Sequence, residues 1–304
     1  MSFLCFPVRG RKAQSPSLQI YLTAFIADPF SLAGLSAARE KLFPLRSLRL
    51  CGEILIWTSL MIAMNQSGYI IDLGLMDYGK AWDLQRRLWA RRVEGTVPDL
   101  LLFVEHPHVI TLGRRGNRTH LLASPEVLKE KGVSVFHVER GGDVTYHGPG
   151  QVVVYPILHL KEHGYRVVRH VEQLEEVIIR VLRDFGIEGK RDALNRGVWV
   201  KKDKIASIGV AIKRWVSFHG LALNCATDLS YFDLIDPCGL EGVKMTSMER
   251  ILGTNVSRDD LHRRMLLYFE EIFERHWETK ELPDVVTDER STKTPLAEDS
   301  TLSA

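Results

Sequence analysis

Residues 197–224 read GVWVKKDKIASIGVAIKRWVSFHGLALN, and this stretch decides the class of fold. It holds three strand-like apolar segments, at 197–200, 204–212 and 216–223, which only short polar turns separate. Strands that follow one another without helices between them favour an antiparallel or mixed sheet, on which helices from elsewhere in the chain pack.

The chain on either side of this stretch adds helices and further strands. The clearest helix spans 167–185, where apolar residues recur at helical spacing and Gly186 ends the pattern. Further strands are predicted at 69–73, 100–104, 109–112, 133–138 and 151–157, and further helices at 77–94, 125–131 and 257–276. We therefore predict an α/β fold with a mixed, largely antiparallel sheet and packed helices.

Composition excludes several classes of protein. The 304 residues are 45% hydrophobic and 26% charged, which excludes a disordered, collagenous or coiled-coil chain. The 40 Lys and Arg nearly balance the 38 Asp and Glu, and this balance disfavours a nucleic-acid binder. The four cysteines are too few for a disulfide framework in a chain of this length, so we expect single thiols in a reducing compartment; they are Cys5, Cys51, Cys225 and Cys238.

The two ends of the chain differ from its middle. Apolar runs at 18–27 and 54–64 are shorter than the roughly 20 residues that span a bilayer. Three interpretations of the first residues stay open: a spurious start upstream of Met61 or Met64, an organelle transit peptide, or a signal peptide. We predict an N-terminal extension at 1–64, a catalytic domain at 65–280 and a polar, disordered tail at 281–304.

The densest candidate for chemistry is a glycine-rich segment between two predicted strands, RGGDVTYHGPGQ at 140–151. Its glycines permit close backbone approaches, and its Arg and His side chains could orient a carbonyl group or close over a bound chain. The alternative is a hairpin-like connection in which glycine serves turn geometry only. The spacing matches neither a dinucleotide-binding fingerprint nor a P-loop.

Two single residues also stand out. Cys238 lies between Pro237 and Gly239 on a turn, where a neighbouring cation or base could activate it as a nucleophile; otherwise it is a small buried hydrophobe. Lys204 begins a strand and could point into a pocket, or be a solvated turn residue after Lys201 and Lys202. The histidine spacings disfavour a metal site.

Four ordered motifs together resemble the octanoyltransferases, also called lipoyl(octanoyl)transferases or lipoate-protein ligase B. They are RGGDVTYHGPGQ at 140–151, KIASIG at 204–209, HGLALN at 219–224 and PCGL at 237–240, and the resemblance runs from Tyr69 to about Glu274. It implies a fold like the catalytic domain of the biotin and lipoate protein ligases. Asp143 stands where many members of the family have Gln.

The resemblance also implies an activity and roles for residues. The family moves an octanoyl group from the phosphopantetheine thiol of acyl carrier protein to a lysine of lipoyl domains. Cys238 would be the nucleophile that forms an octanoyl thioester, and Lys204 would lower its pKa and shuttle the proton. The remaining residues would line the acyl site; they are Arg140, Gly141, Gly142, Asp143, Val144, Thr145, Tyr146, His147, Ser207, Ile208, Gly209, Gly220, Leu221 and Ala222.

Cofactor and partner expectations follow from this resemblance. The thioester donor is already activated, so neither ATP nor a metal is expected. The expected partners are octanoyl-acyl carrier protein, the lipoyl domains of 2-oxoacid dehydrogenases and the glycine cleavage H protein, with no nucleic acid and no membrane. Basic clusters could steer these acidic partners; they are Arg86, Arg87, Arg91 and Arg92, then Arg114, Arg115 and Arg118, then Lys213 and Arg214. We expect a cytoplasmic protein, or a mitochondrial or plastid one if the extension is a transit peptide.

Two rival functions stay open beside this one. An ATP-dependent lipoate or biotin ligase would share the fold but would have no use for Cys238. A non-catalytic acyl-binding protein would have no use for Cys238 and Lys204 together.

Overall fold

The computed structural model describes residues 67–192, 195–236 and 243–286. The strands in these ranges are β1 Ser67–Leu75, β2 Leu100–Glu105, β3 Val109–Leu112, β4 Ser134–His137, β5 Val144–His147, β6 Gln151–Ile157, β7 Lys190–Arg191, β8 Gly197–Val200, β9 Asp203–Lys213, β10 Val216–Asn224 and β11 His276–Thr279. The helices are α1 Tyr78–Val93, α2 Pro125–Glu130, α3 Val167–Asp184, α4 Met248–Leu252, α5 Arg258–Phe273 and α6 Leu282–Val286, and 3-10 turns lie at Arg118–His120 and Leu229–Leu234.

The larger sheet has eight strands in the described residues, in the order β11-β1-β2-β6-β10-β9-β8-β7. Strand β1 pairs parallel with both β11 and β2, and every other neighbouring pair in this sheet is antiparallel. The strands in 197–224 do pair antiparallel with one another, so the predicted mixed, largely antiparallel sheet is confirmed.

Helices cover both faces of this sheet. On one face α1 packs through Leu84 and Leu88 against Leu102 of β2. On the other face α3 and α5 pack against residues such as Phe103 of the same strand. Because both faces are covered, residues of β2, β6 and β10 are buried in continuous runs and not at alternating positions.

A smaller sheet, in the order β4-β3-β5, builds a separate core. Its strand β5 falls inside the glycine-rich segment 140–151, at residues where no strand was predicted. Val144 and Tyr146 are buried while Thr145 between them is partly open, and this alternation is what a paired strand requires. The N–H of Gly141, just before β5, donates to the carbonyl of Val210 at 2.9 Å and links the two sheets.

A buried carboxylate ties α1 to the sheet. Asp99 accepts a hydrogen bond from Arg92 Nε at 2.6 Å, another from His163 Nε2 at 2.6 Å, and lies 3.0 Å from Arg275 Nη1. Burial alone would raise the pKa of Asp99, but the bond from His163 and the two guanidinium groups hold it well below its ordinary value. Asp99 is therefore ionised at neutral pH.

The chain ends are only partly described. The predicted extension at 1–64 lies outside the described residues. The first residues of the predicted tail differ from the expectation, because Leu282–Val286 form α6 and the Val285 side chain is buried in the core beneath α1. None of the helices in the described ranges is both long and apolar enough to cross a bilayer.

Candidate active site

A cavity of about 620 Å³ opens where the glycine-rich segment, β9, β10 and the start of α3 meet. All of the predicted site residues that the structure describes line it except Tyr146, although they come from three separate parts of the chain. They are Arg140, Gly141, Gly142, Asp143, Val144, Thr145, His147, Lys204, Ser207, Ile208, Gly209, Gly220, Leu221 and Ala222.

Arg140 fastens the glycine-rich segment to β3. Its guanidinium donates to the Thr111 hydroxyl at 2.9 and 3.1 Å, to the Thr111 carbonyl at 2.6 Å, and to the Gly141 carbonyl at 3.1 Å. The side chain is buried, so its charge lies in the cavity wall and not in solvent.

Asp143 has a partner outside the cavity. Its carboxylate accepts from His120 Nδ1 at 2.5 Å and from the N–H of Asn117 at 3.2 Å. This position, where the resemblance expects Gln, thus holds the neighbouring 3-10 turn through a carboxylate, which accepts stronger hydrogen bonds than a neutral amide does.

Among the predicted site residues that the structure describes, Tyr146 is the one that lies outside the cavity. Its side chain points to the opposite face of β5, is fully buried in the core of the smaller sheet, and bonds His108 Nδ1 through its hydroxyl at 2.8 Å. Because successive side chains of a strand alternate, Thr145 and His147 reach the cavity while Tyr146 cannot.

Lys204 is a buried residue of the cavity wall, so the alternative interpretation, a solvated turn residue, is wrong. It is 4% exposed, and its Nζ lies 5.5 Å from the ring centre of Trp199. Its backbone N–H donates to the carbonyl of Lys244 at 2.8 Å, and its carbonyl accepts from the N–H of Thr246 at 2.9 Å.

The wall behind Lys204 depends on Gly197 and on a buried acid. A Cβ atom at Gly197 would stand 2.7 Å from Lys204 Cε and 2.3 Å from the Ala206 carbonyl oxygen, so only glycine fits. Glu175 of α3, fully buried, accepts the Gly197 N–H at 3.0 Å and lies 3.3 and 3.5 Å from the guanidinium groups of Arg191 and Arg196.

Cys238, the predicted nucleophile, lies in 237–242, outside the described residues. The chain on both sides of this gap is held in place. The N–H of Asp236 donates to the His120 carbonyl at 2.8 Å, and Met245 lines the cavity beside Lys204. The pairing of Cys238 with Lys204 stays a prediction. Cys225 is buried, and burial raises its pKa to about 12.

A wall of polar aromatic residues completes the cavity; Tyr78 and Tyr155 were not predicted, and His219 was named only as the first residue of the HGLALN motif. Tyr78 of α1, Tyr155 of β6 and His219 of β10 line it, and His106 supports it from behind. His106 lies between the two apolar strands β2 and β3 and was not predicted as a site residue. Its Nδ1 donates to the Met76 carbonyl at 2.7 Å, and burial lowers its pKa to about 4.

His219 adopts an unusual backbone conformation at this wall. Its φ is +54°, and its N–H leaves the strand ladder to donate to Gln85 Oε1 at 2.9 Å. The next residue, Gly220, leaves no room for a side chain, because a Cβ there would lie 2.1 Å from the Val154 carbonyl oxygen. His219 Nε2 faces Glu139 at 3.5 Å, and this histidine together with the Trp82 N–H holds the pKa of Glu139 at about 2.

A buried polar network fixes His147. Its Nδ1 lies 2.7 Å from Gln151 Oε1, Gln151 Nε2 donates to Asn224 Oδ1 at 2.9 Å, and Asn224 Nδ2 donates to the Thr246 carbonyl at 3.0 Å. Burial lowers the pKa of His147 to about 3, and the nearby His106 is the second cause of this shift. His147 is therefore neutral at physiological pH.

The basic clusters divide into exposed and buried members. Arg114, Arg115 and Arg118 are exposed, and Arg115 reaches the cavity. Arg92 does not belong to a docking surface as expected, because its side chain is buried against Asp99 and Glu162. Among the described residues, no group of three or more His, Cys, Asp or Glu side chains is placed to hold a metal ion.

Comparisons with known proteins match this architecture. A sequence model of the family described as Lipoyl protein ligase A/B catalytic domain matches residues 77–270. An octanoyltransferase of Syntrophobacter fumaroxidans is 57% identical over 222 residues, which are 73% of this chain and 97% of that protein. One from Caldicellulosiruptor bescii is 48% identical over 203 residues, 66% of this chain and 89% of that protein.

Solved structures agree on the fold alone. A putative lipoate protein ligase from T. acidophilum with bound lipoic acid superposes with a TM-score of 0.57 at 14% identity, over 72% of this chain and 91% of that one. Lipoate-protein ligase A bound with ATP gives a TM-score of 0.58 at 14% identity, over 72% and 90%.

Proposed function

The chain belongs to the lipoyl protein ligase A/B catalytic domain family, with octanoyltransferases as curated relatives, and we propose that it transfers an octanoyl group from acyl carrier protein to a lysine of lipoyl domains. The observation that carries the proposal is the single cavity that brings the glycine-rich segment, Lys204 and the β10 residues Gly220 to Ala222 together. Its octanoyltransferase relatives make the protein an acyltransferase. The donor, the acceptor and the intermediate are our proposal.

The acyl chain is assigned to the apolar part of the cavity. Val167, Val171, Ile208, Val210 and Leu221 line that part. Each CH₂ group that leaves water contributes about 0.8 kcal/mol, so burying an eight-carbon chain supplies roughly 5 kcal/mol of gross binding free energy. This gain anchors the chain while the reacting carbonyl stays next to Lys204.

Two chemical steps divide the reaction. First the thiolate of Cys238 attacks the donor thioester, the acyl group moves to the cysteine, and the carrier thiol leaves. Then the acceptor lysine attacks the new thioester and releases Cys238. Lys204 stabilises the thiolate by charge and moves the proton between the two steps. Exchange between thioesters is close to isoenergetic. Because the acyl group is held on Cys238 between the two steps, the two protein substrates need not be bound together.

No ATP and no metal enter this scheme, because the donor thioester is already activated. The fold is shared with an ATP-bound ligase, but at 14% identity that likeness concerns the fold alone. The proposed acceptors are the lipoyl domains of 2-oxoacid dehydrogenases and the glycine cleavage H protein. We keep the cytoplasm as the proposed location, with an organelle as the alternative if 1–64 is a transit peptide.

Intact mass spectrometry tests the proposal directly. We expect the protein mixed with octanoyl-acyl carrier protein, without ATP, to gain one octanoyl group that hydroxylamine removes. The matched control is Cys238→Ser, which should gain none, with Cys225→Ser gaining the same mass as wild type. Absence of the adduct in wild type, or loading of free octanoate only when ATP is added, would contradict the transferase function.

A further inference from the structure

The hydrogen-bond network behind His147 determines which of its ring nitrogens carries the proton. The carbonyl oxygens of Thr246 and Tyr146 can only accept hydrogen bonds. Asn224 must therefore direct its NH₂ to Thr246, and its Oδ1 accepts from Gln151 Nε2, which also lies 3.3 Å from the Tyr146 carbonyl. Gln151 thus turns its Oε1 to His147, so His147 Nδ1 must be the donor.

The second ring nitrogen is consequently a hydrogen-bond acceptor. His147 is neutral, so with the hydrogen on Nδ1 its Nε2 has only a lone pair. His147 lines the cavity, and within the described residues the hydrogen bond of its ring is made by Nδ1. Its Nε2 is not among the fully enclosed atoms without a partner, so it is accessible from the cavity. We take this as an acceptor that the cavity's contents can reach.

Hydrogen bonding fixes a second acceptor on the same wall in the same way. His106 donates from Nδ1 to the Met76 carbonyl, so its Nε2 must accept the hydrogen of the Tyr155 hydroxyl at 2.7 Å. Tyr155 lines the cavity with its hydrogen already committed, and burial keeps its pKa far above 10, so it remains neutral. Both His147 and Tyr155 therefore offer lone pairs and no hydrogen to a ligand.

We propose that His147 Nε2 and the Tyr155 oxygen bind the amine of the incoming lysine during the second chemical step. A neutral primary amine has two N–H donors and one lone pair, so two acceptors orient it and leave the lone pair free to attack. An acyl carbonyl or an oxyanion requires donors, which His147 Nε2 and the Tyr155 oxygen do not supply, so other groups must stabilise the acyl oxygen. The proposal rests on the proposed function and adds to it a binding site for the acceptor amine.

The chemical step balances without a further reactant. The amine nitrogen attacks the carbonyl carbon of the Cys238 thioester, and a C–N bond forms. The C–S bond breaks, its electron pair stays on sulfur, and the proton lost by nitrogen ends on that sulfur. His147 holds the N–H and accepts no net proton, consistent with a site that keeps it neutral.

The two half-reactions separate this role from a structural one. His147→Phe should take up the octanoyl group within about threefold of the wild-type rate but deliver it to a lipoyl domain about 10- to 100-fold more slowly. His147→Gln, whose amide oxygen can take the place of Nε2, should recover much of the loss. His108→Gln, a histidine outside the cavity, is the matched control and should change neither rate.

Equal slowing of both half-reactions by His147→Phe, or an unchanged second one, would overturn the proposal. A direct measurement does not depend on a variant folding: nitrogen-15 NMR of histidine-labelled wild type should show both His106 and His147 with hydrogen on Nδ1 and neutral down to about pH 5. A His147 ring with its hydrogen on Nε2 would refute the proposal. Failure of wild type to form a thioester would instead defeat the proposed function, so the two failures are distinguishable.

Discussion

Replacing Glu175 by leucine tests how the wall behind Lys204 is held in place. Glu175 is fully buried and accepts the N–H of Gly197, and the aliphatic part of Lys204 lies against Gly197. Leucine lacks both carboxylate oxygens, is apolar and has a side chain of similar length. We expect the start of β8 to loosen and Lys204 to lose its fixed position.

The magnitude follows from the partners of the carboxylate. The Gly197 N–H loses its acceptor in a buried site, which costs about 1–3 kcal/mol. The ion pairs add little, because the side chains of Arg191 and Arg196 are 40% and 48% exposed and pairs of this kind contribute about 0–1 kcal/mol. We therefore expect the free energy of unfolding to fall by about 2 kcal/mol, which lowers Tm by about 4–8 °C in a chain of this size.

Urea unfolding followed by tryptophan fluorescence measures the loss, and the rate of octanoyl uptake measures the effect on Lys204. Glu175→Gln keeps an oxygen for the Gly197 N–H and should lose less stability than leucine. The neighbouring Glu176→Gln removes only partly exposed contacts to Arg180 and Arg191, so it serves as the control. An unfolding free energy of Glu175→Leu within about 0.5 kcal/mol of wild type would refute the reasoning.

Three further outcomes are expected. Asp99→Asn should lower the free energy of unfolding at neutral pH but make it less sensitive to acid. The pKa of Asp99 is lowered in the folded state, so its stabilising contribution is present above about pH 4 and is lost as pH falls below that value. Urea unfolding between pH 3 and 7 measures the difference. Equal acid sensitivity in both proteins would contradict this. Gly220→Ala should prevent a stable fold, since its Cβ would lie 2.1 Å from the Val154 carbonyl oxygen; a wild-type Tm would show that the strands can separate there. Cys225→Ala should keep the rate of octanoyl uptake and lose about 1 kcal/mol of stability, because this buried thiol acts as a small hydrophobe; loss of uptake would assign it a chemical role.

Local patterns carried much of the prediction. The helix predicted at 167–185 is observed at Val167–Asp184, and the strands predicted within 197–224 are observed with shifts of at most one residue at their ends. Each of these elements is defined by its own periodicity and by the turn residues beside it. Strand β5 was missed because four residues among glycines are too few to show a period.

The amino-acid sequence by itself determined the class of fold, the glycine-rich segment and the selection of Lys204, because these depend on neighbours along the chain and on motifs with a fixed order. Only the tertiary structure decided that Tyr78, Tyr155 and His219 share one cavity with them. It also decided that Tyr146 is core and that His147 presents an acceptor. These outcomes depend on hydrogen bonds and packing between residues far apart in the chain, such as Gln151 with Asn224, which no local pattern encodes.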